Sequence, residues 1–218
     1  MCPPSHPTTP TPLSWRALEP AAAREVMAAV DVPWWIAGGW AIDLFLGAKT
    51  RAHKDLDLGV RRADASRIIA ALPGWEFFEA KDAVLSRLEP GTKPRAVVNS
   101  LWARRAGEAH WSLELMLDDS DGKDWIFRRE PSIRRPLAAA LRTTADGTRY
   151  LTPEIQLMYK ARDLRPEDQS DFEHAAPRLE SAAAEWLRNC LSRLYPQHRW
   201  IPALADPRPR RNDASRQV

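Results

Sequence analysis

Residues 38–60 read GGWAIDLFLGAKTRAHKDLDLGV, and the last six of them constrain the chain most. Asp55 and Asp57 alternate with Leu56 and Leu58, which predicts a strand over residues 55–60. Period-two geometry places both carboxylates on one face and both leucines on the other. Two carboxylates so placed repel each other unless a cation lies between them. Mg²⁺ takes one or two carboxylates together with phosphate oxygens and water, so it is the expected cation. A bare D-x-D is common, and its surroundings narrow the reading. Upstream, the apolar run 34–37 predicts a buried strand and residues 40–46 a short helix with Ala41, Leu44 and Phe45 inward. Gly38 and Gly39 lie between them. Glycines at a strand-to-helix turn let backbone N–H groups approach a phosphate, and the helix N-terminus favours its charge.

Holding two metal ions and deprotonating an acceptor hydroxyl requires a third acid. Residues 111–117 alternate again. Leu113, Leu115 and Leu117 point to the core, and Glu114 to the opposite face. A glutamate among apolar neighbours is costly to bury without a role. Asp118 and Asp119 are the rivals. Their position at the strand's end, beside the Asp121-Gly122 turn signal, marks them as solvated turn residues.

The rest of the chain divides by pattern. A helix over residues 21–30 starts behind Pro20, with Val26, Met27 and Val30 on one face. Another spans 63–72 on Ile68, Ile69 and Leu72. Strands are expected over 75–78, 84–88 and 96–102, and Asp121-Gly122 turns the chain into a strand over 125–127. Beyond Pro131 the strands are expected to stop. Helices follow from Pro153, from near Pro166, and over 181–194. This order implies an α+β fold: a mixed sheet core flanked by helices, with a helical C-terminal end. The ten tryptophans are expected to pack mainly in the core.

Composition limits the partners. With 44% hydrophobic and 28% charged residues, the chain reads as globular, and no apolar run is long enough to cross a membrane. Two cysteines, Cys2 and Cys190, do not make a disulfide framework, so a reducing cytoplasm is expected. The net charge is +3, and Arg208, Arg210, Arg211 and Arg216 of the tail contribute to it. The near-neutral body argues against a nucleic-acid acceptor, which calls for a basic face.

The order glycine pair, D-h-D, then an acid inside a later apolar strand resembles the DNA polymerase β-type nucleotidyltransferase superfamily. Within it the match is to the small aminoglycoside and lincosamide nucleotidyltransferases. Gly38, Gly39, Trp40, Asp43, Gly47, Thr50, Arg51, His53, Asp55, Asp57 and Glu114 carry the resemblance, and the stretch from Leu151 through Phe172 extends it. The resemblance implies a nucleotidyltransferase core over residues 14–130 and a helical subdomain over 131–205, with a flexible leader (1–13) and a disordered basic tail (206–218). It implies that Asp55, Asp57 and Glu114 hold Mg²⁺ against the triphosphate of ATP or another nucleoside triphosphate. Glu114 would also serve as general base on the hydroxyl of a small-molecule acceptor. Gly38 and Gly39 would cradle phosphate, Lys160 would reach the triphosphate, and Arg51 would neutralise phosphate charge.

Overall fold

The computed structural model describes residues 13–205. The expected basic tail (206–218) lies outside the described residues, as does the expected leader apart from Leu13.

In chain order the elements are β1 (Ser14–Trp15), α1 (Pro20–Val26), β2 (Trp34–Ile36), α2 (Gly38–Leu46), β3 (Asp57–Arg61), α3 (Ala65–Ala71), β4 (Trp75–Lys81) and β5 (Val84–Arg87). Then come β6 (Ser100–Arg105), β7 (His110–Trp111), β8 (Leu113–Ser120), β9 (Asp124–Ile126), β10 (Arg134–Pro136), α4 (Leu137–Ala140), β11 (Leu141–Thr143) and β12 (Arg149–Leu151). Four helices close the chain: α5 (Pro153–Lys160), α6 (Pro166–Ala175), α7 (Ser181–Leu194) and α8 (Ile201–Ala205). The fold is α+β, as expected.

One mixed sheet runs β11-β12-β2-β3-β8-β6-β4-β5, with β9 and β10 continuing from β8. Its centre is the parallel pair β3–β8, where Asp57 lies beside Glu114 and Arg61 beside Asp118. That register fixes the site, because residues paired across neighbouring strands point to the same face. Leu58 and Val60 of β3, with Leu113, Leu115 and Leu117 of β8, enter a core that α1 and α3 cover through Ala23, Ile68 and Leu72. A second core, around Trp35, Trp125 and Phe127, packs α5 and α7 through Ile155, Met158, Leu187 and Leu191. Helix α2 lies between the two, giving Ala41 to the first and Ile42 to the second.

Three sequence expectations change. Residues 131–151 do not abandon strands: β10, β11 and β12 lie there, and β12 joins the central sheet parallel to β2. These strands are three residues each and rich in Arg, Thr and Pro, so they carry no readable alternation. The strand after Leu88 is β6, Ser100–Arg105, four residues later than expected. Strand β3 begins at Asp57, so Asp55 lies just ahead of it rather than inside it.

The prolines and glycines act where expected. Pro20, Pro153 and Pro166 open α1, α5 and α6, where a missing N–H is harmless. Gly47 closes α2 in the left-handed conformation at φ 72°.

Candidate active site

At the start of the β3–β8 pair, Asp55, Asp57 and Glu114 each offer an oxygen, and these oxygens all lie within 4.8 Å of one another. Asp55 is exposed, and Asp57 and Glu114 are half-buried. Burial pushes the Asp57 carboxyl well above the usual carboxylate range, and the charges of Glu114 and Asp55 push it further. Burial also raises Glu114, and the charge of Asp55 adds to it. No Lys or Arg among the described residues pairs with any of the three. A hard divalent cation fits this donor set: it would satisfy oxygens that otherwise hold each other protonated.

The glycine turn abuts the acids. Gly38 sits at φ +63°, and a Cβ there would lie 1.9 Å from Asp57 Oδ2. A Cβ on Gly39 would lie 2.3 Å from Arg51 Nη2 and 2.6 Å from His53 Nδ1. Gly38 thus needs glycine for its backbone as well as for space, and a side chain at Gly39 would displace Arg51 and His53. The Gly38 amide already donates to Gln156 Oε1 at 2.9 Å, so it is not free for a phosphate. The Gly39 amide, in the first turn of α2, has no intrahelical acceptor. Of the two expected cradle amides, the structure leaves that of Gly39 available.

Arg51 and Lys160 both reach the site but arrive paired. Arg51 grips Asp171 through two hydrogen bonds of 2.8 and 2.9 Å. Lys160 is buried between Asp168, at 2.7 Å, and Asp171, at 2.9 Å. Arg165 also binds Asp168. Burial alone would push the Asp168 carboxyl up, but hydrogen bonds from Arg165 and Lys160 outweigh it and hold it at about 2. This network ties the loop before β3 to α5 and α6. A second lock holds the same loop: Asp43 accepts from Thr50 and pairs with His53 at 2.5 Å, and the His53 ring tilts against Trp40. Trp40 is thus a packing residue, whereas Trp102 packs against Trp15 and Trp111 and also hydrogen-bonds to Glu114.

The triad, the two glycines, Arg51, Lys160, Arg165 and Asp168 border one cleft of about 630 Å³. Its far end contains residues that the sequence did not reveal: Met116, Asp118, Arg128, Arg129 and Tyr159. Asp118 is the main correction. It lies within β8, only 9% exposed, and is not a solvated turn residue. Tyr159 donates to it at 3.1 Å. Burial pushes its carboxyl up to about 6, although the Trp125 indole and the Tyr159 hydroxyl beside it pull the other way. The period-two pattern carried a signal, since 114, 116 and 118 share a face. What buries Asp118 is α5, 41 residues away in sequence.

Residues 21–122 match the model of the aminoglycoside-2''-adenylyltransferase family. Two curated 2''-aminoglycoside nucleotidyltransferases, from Escherichia coli and Klebsiella pneumoniae, are each 46% identical to the chain over 56 residues. That stretch is 23% of this chain and 32% of each relative, so the chain spans about a third of the length of the curated relatives it matches. Among solved structures, ANT(2'')-Ia in complex with adenylyl-2''-tobramycin superposes with a TM-score of 0.53 at 18% identity, covering 80% of this chain and 98% of that one. The solution structure of ANT(2'')-Ia gives a TM-score of 0.54 at 20% identity, over 81% and 92%. In fold, and in sequence over residues 21–122, the chain resembles the aminoglycoside nucleotidyltransferases, part of the antibiotic-modifying branch that its glycine pair and D-h-D motif pointed to.

Proposed function

We propose that the chain is a Mg²⁺-dependent nucleotidyltransferase that moves AMP from ATP to a hydroxyl of a small acceptor, an aminoglycoside- or lincosamide-like molecule, and releases pyrophosphate. The observation that carries this reading is the convergence of three unpaired carboxylates within 4.8 Å beside a glycine turn. The matched family and the printed activity of the curated relatives support it.

Asp55, Asp57 and Glu114 would hold the metal, which supplies positive charge for the attacking and leaving oxygens. The Gly39 amide and the first turn of α2 would receive phosphate oxygens. Arg51, Lys160 and Arg165, fixed by Asp168 and Asp171, would offer positive charge to the triphosphate. The acceptor oxygen attacks the α-phosphorus in line. One O–P bond forms as the bond to pyrophosphate breaks, and Glu114 takes the hydroxyl proton. As in other phosphoryl transfers, the protein contributes position and opposing charge.

Incubation with radiolabelled ATP, Mg²⁺ and a panel of aminoglycosides, lincosamides, tRNA and total protein tests the reading. Label on a small molecule, with equimolar pyrophosphate, is the expected result. Label confined to a macromolecule would replace it with a toxin-like activity. Absence of any transfer, together with Mg²⁺-independent nucleotide binding, would leave an inactive nucleotide-binding module.

A further inference from the structure

Beyond the acidic triad, the cleft contains one acid that no Lys or Arg among the described residues pairs with. Asp163 and Glu167 face Arg162 and Arg165, and Asp168 lies between Lys160 and Arg165. Asp118 meets the Tyr159 hydroxyl and the Trp125 indole, both neutral, and no cation among the described residues pairs with it. The nearby guanidinium groups of Arg62 and Arg128 go to Asp119 instead, at 2.8 and 3.4 Å. A nine-tenths-buried carboxylate left without a cation is expensive unless a ligand completes it.

We propose that the Asp118–Tyr159 end of the cleft is the acceptor's recognition subsite, and that it takes a single protonated amine. The proposal rests on the nucleotidyl-transfer reading for the word acceptor, but not for the binding itself. Asp118 and Glu114 share a face of β8 four residues apart, so the amine and the reacting hydroxyl would be separated by about 13 Å at most. Met116 lies between them on that face and offers an apolar floor for the body of the molecule. The rim sets the charge limit. Arg129 lies against the Phe127 and Tyr159 rings with no carboxylate partner among the described residues. Arg128 keeps a buried Nη2 without a hydrogen-bond partner. With Arg62 and Arg128 already on Asp119, Asp118 can neutralise one ammonium, whereas further positive charges on the same ligand would meet the Arg129 guanidinium and repulsion.

The test is calorimetric titration of the full chain, without nucleotide, using lincomycin (one basic nitrogen), tobramycin (a polycation) and maltotriose (neutral). The dissociation constant of ATP is measured by the same titration, in separate runs. Expected are lincomycin binding at least as tight as tobramycin, weaker maltotriose binding, and a loss of about tenfold or more in lincomycin affinity in Asp118→Asn with the Kd for ATP changed less than twofold. Arg129→Ala, at an exposed position, should strengthen tobramycin binding more than lincomycin binding. Unchanged lincomycin affinity in Asp118→Asn overturns the proposal, as does failure of both amines to bind the wild-type chain. A shift in the Kd for ATP instead would assign this end of the cleft to the nucleoside. Because binding is read without transfer, loss of the enzymatic reading leaves this result standing, and the reverse also holds.

Discussion

At the residue scale, the triad is held against its own repulsion. Removing one charge should therefore stabilise the metal-free protein and remove its function together. Asp57→Asn is expected to raise the melting temperature without Mg²⁺, to abolish the further rise that Mg²⁺ gives the wild type, and to lower kcat by about 10²–10³-fold or more. A variant that melts lower than wild type in EDTA would contradict the account of Asp57. Asp118 allows a cleaner stability test. Its carboxyl titrates near 4 in the unfolded chain and at about 6 in the folded one, so the folded state binds the extra proton between those values. Stability should fall as pH rises from about 4 to 6, and the cost is complete at pH 7. Asp119 and Arg62 face the same carboxyl with opposite signs, and Tyr159 donates to either form. Asp118→Asn should therefore gain about 1–3 kcal/mol at pH 7 and nothing at pH 4, measured by urea melts at both values. An equal gain at both pH values would show that the charge is not the cause. The two sites also differ in how far the sequence exposed them. Asp57 and Glu114 were legible because alternation puts each on the site face of its strand and the β3–β8 register pairs them, while Asp55 converges on them from just ahead of β3. Asp118 obeys the same alternation, yet its burial comes from α5, and no local pattern encodes that.

At the element scale, the question is what holds the loop before β3 against α5 and α6. The chain Arg51–Asp171–Lys160–Asp168–Arg165 spans the three segments and is buried at its centre. Breaking a buried pair on one side leaves an uncompensated charge. Asp171→Asn strips Arg51 and Lys160 of a shared partner and should cost about 3–5 kcal/mol, measured by denaturant unfolding. Asp168 adds a pH signature. Its folded-state value of about 2 lies below the unfolded value near 4, so its contribution is present above pH 4 and disappears as pH falls towards 2. Lys160 and Arg51 were read from sequence as groups reaching a phosphate. The structure keeps them at the cleft and adds a second duty, because their carboxylate partners lie 8 to 120 residues away. Periodicity finds the helices that carry these residues, since α5 and α6 open with proline and repeat apolar positions every three or four residues. It cannot report the partner across the cleft. The three-residue strands β10, β11 and β12 escaped for a related reason: pairing, not composition, makes them strands.

At the scale of the whole molecule, two apolar cores meet along α2, and the cleft runs where both contribute its walls. Asp57 and Glu114 sit on strands of the first core, with Asp55 just ahead of β3. Gln156, Tyr159 and Lys160 come from α5, which packs in the second. A nucleotide bound across them would touch both. A ligand that binds only the folded state stabilises by RT ln(1 + [L]/Kd), about 2.7 kcal/mol at a hundredfold excess over Kd. For a chain of this size, 1 kcal/mol shifts the melting temperature by about 2–4 °C. MgATP at that excess should therefore raise a single calorimetric transition by about 5–11 °C, and EDTA should return most of the shift. If the cores were stabilised separately, two transitions would appear and only one would move. Hydrogen exchange then distinguishes the walls. Amides of β3 and of α5 should gain protection together on adding MgATP, because the Gly38–Gln156 hydrogen bond joins the glycine turn directly to α5. Protection gained in β3 alone would place the nucleotide on the sheet without α5, and Lys160 would then be a structural residue only.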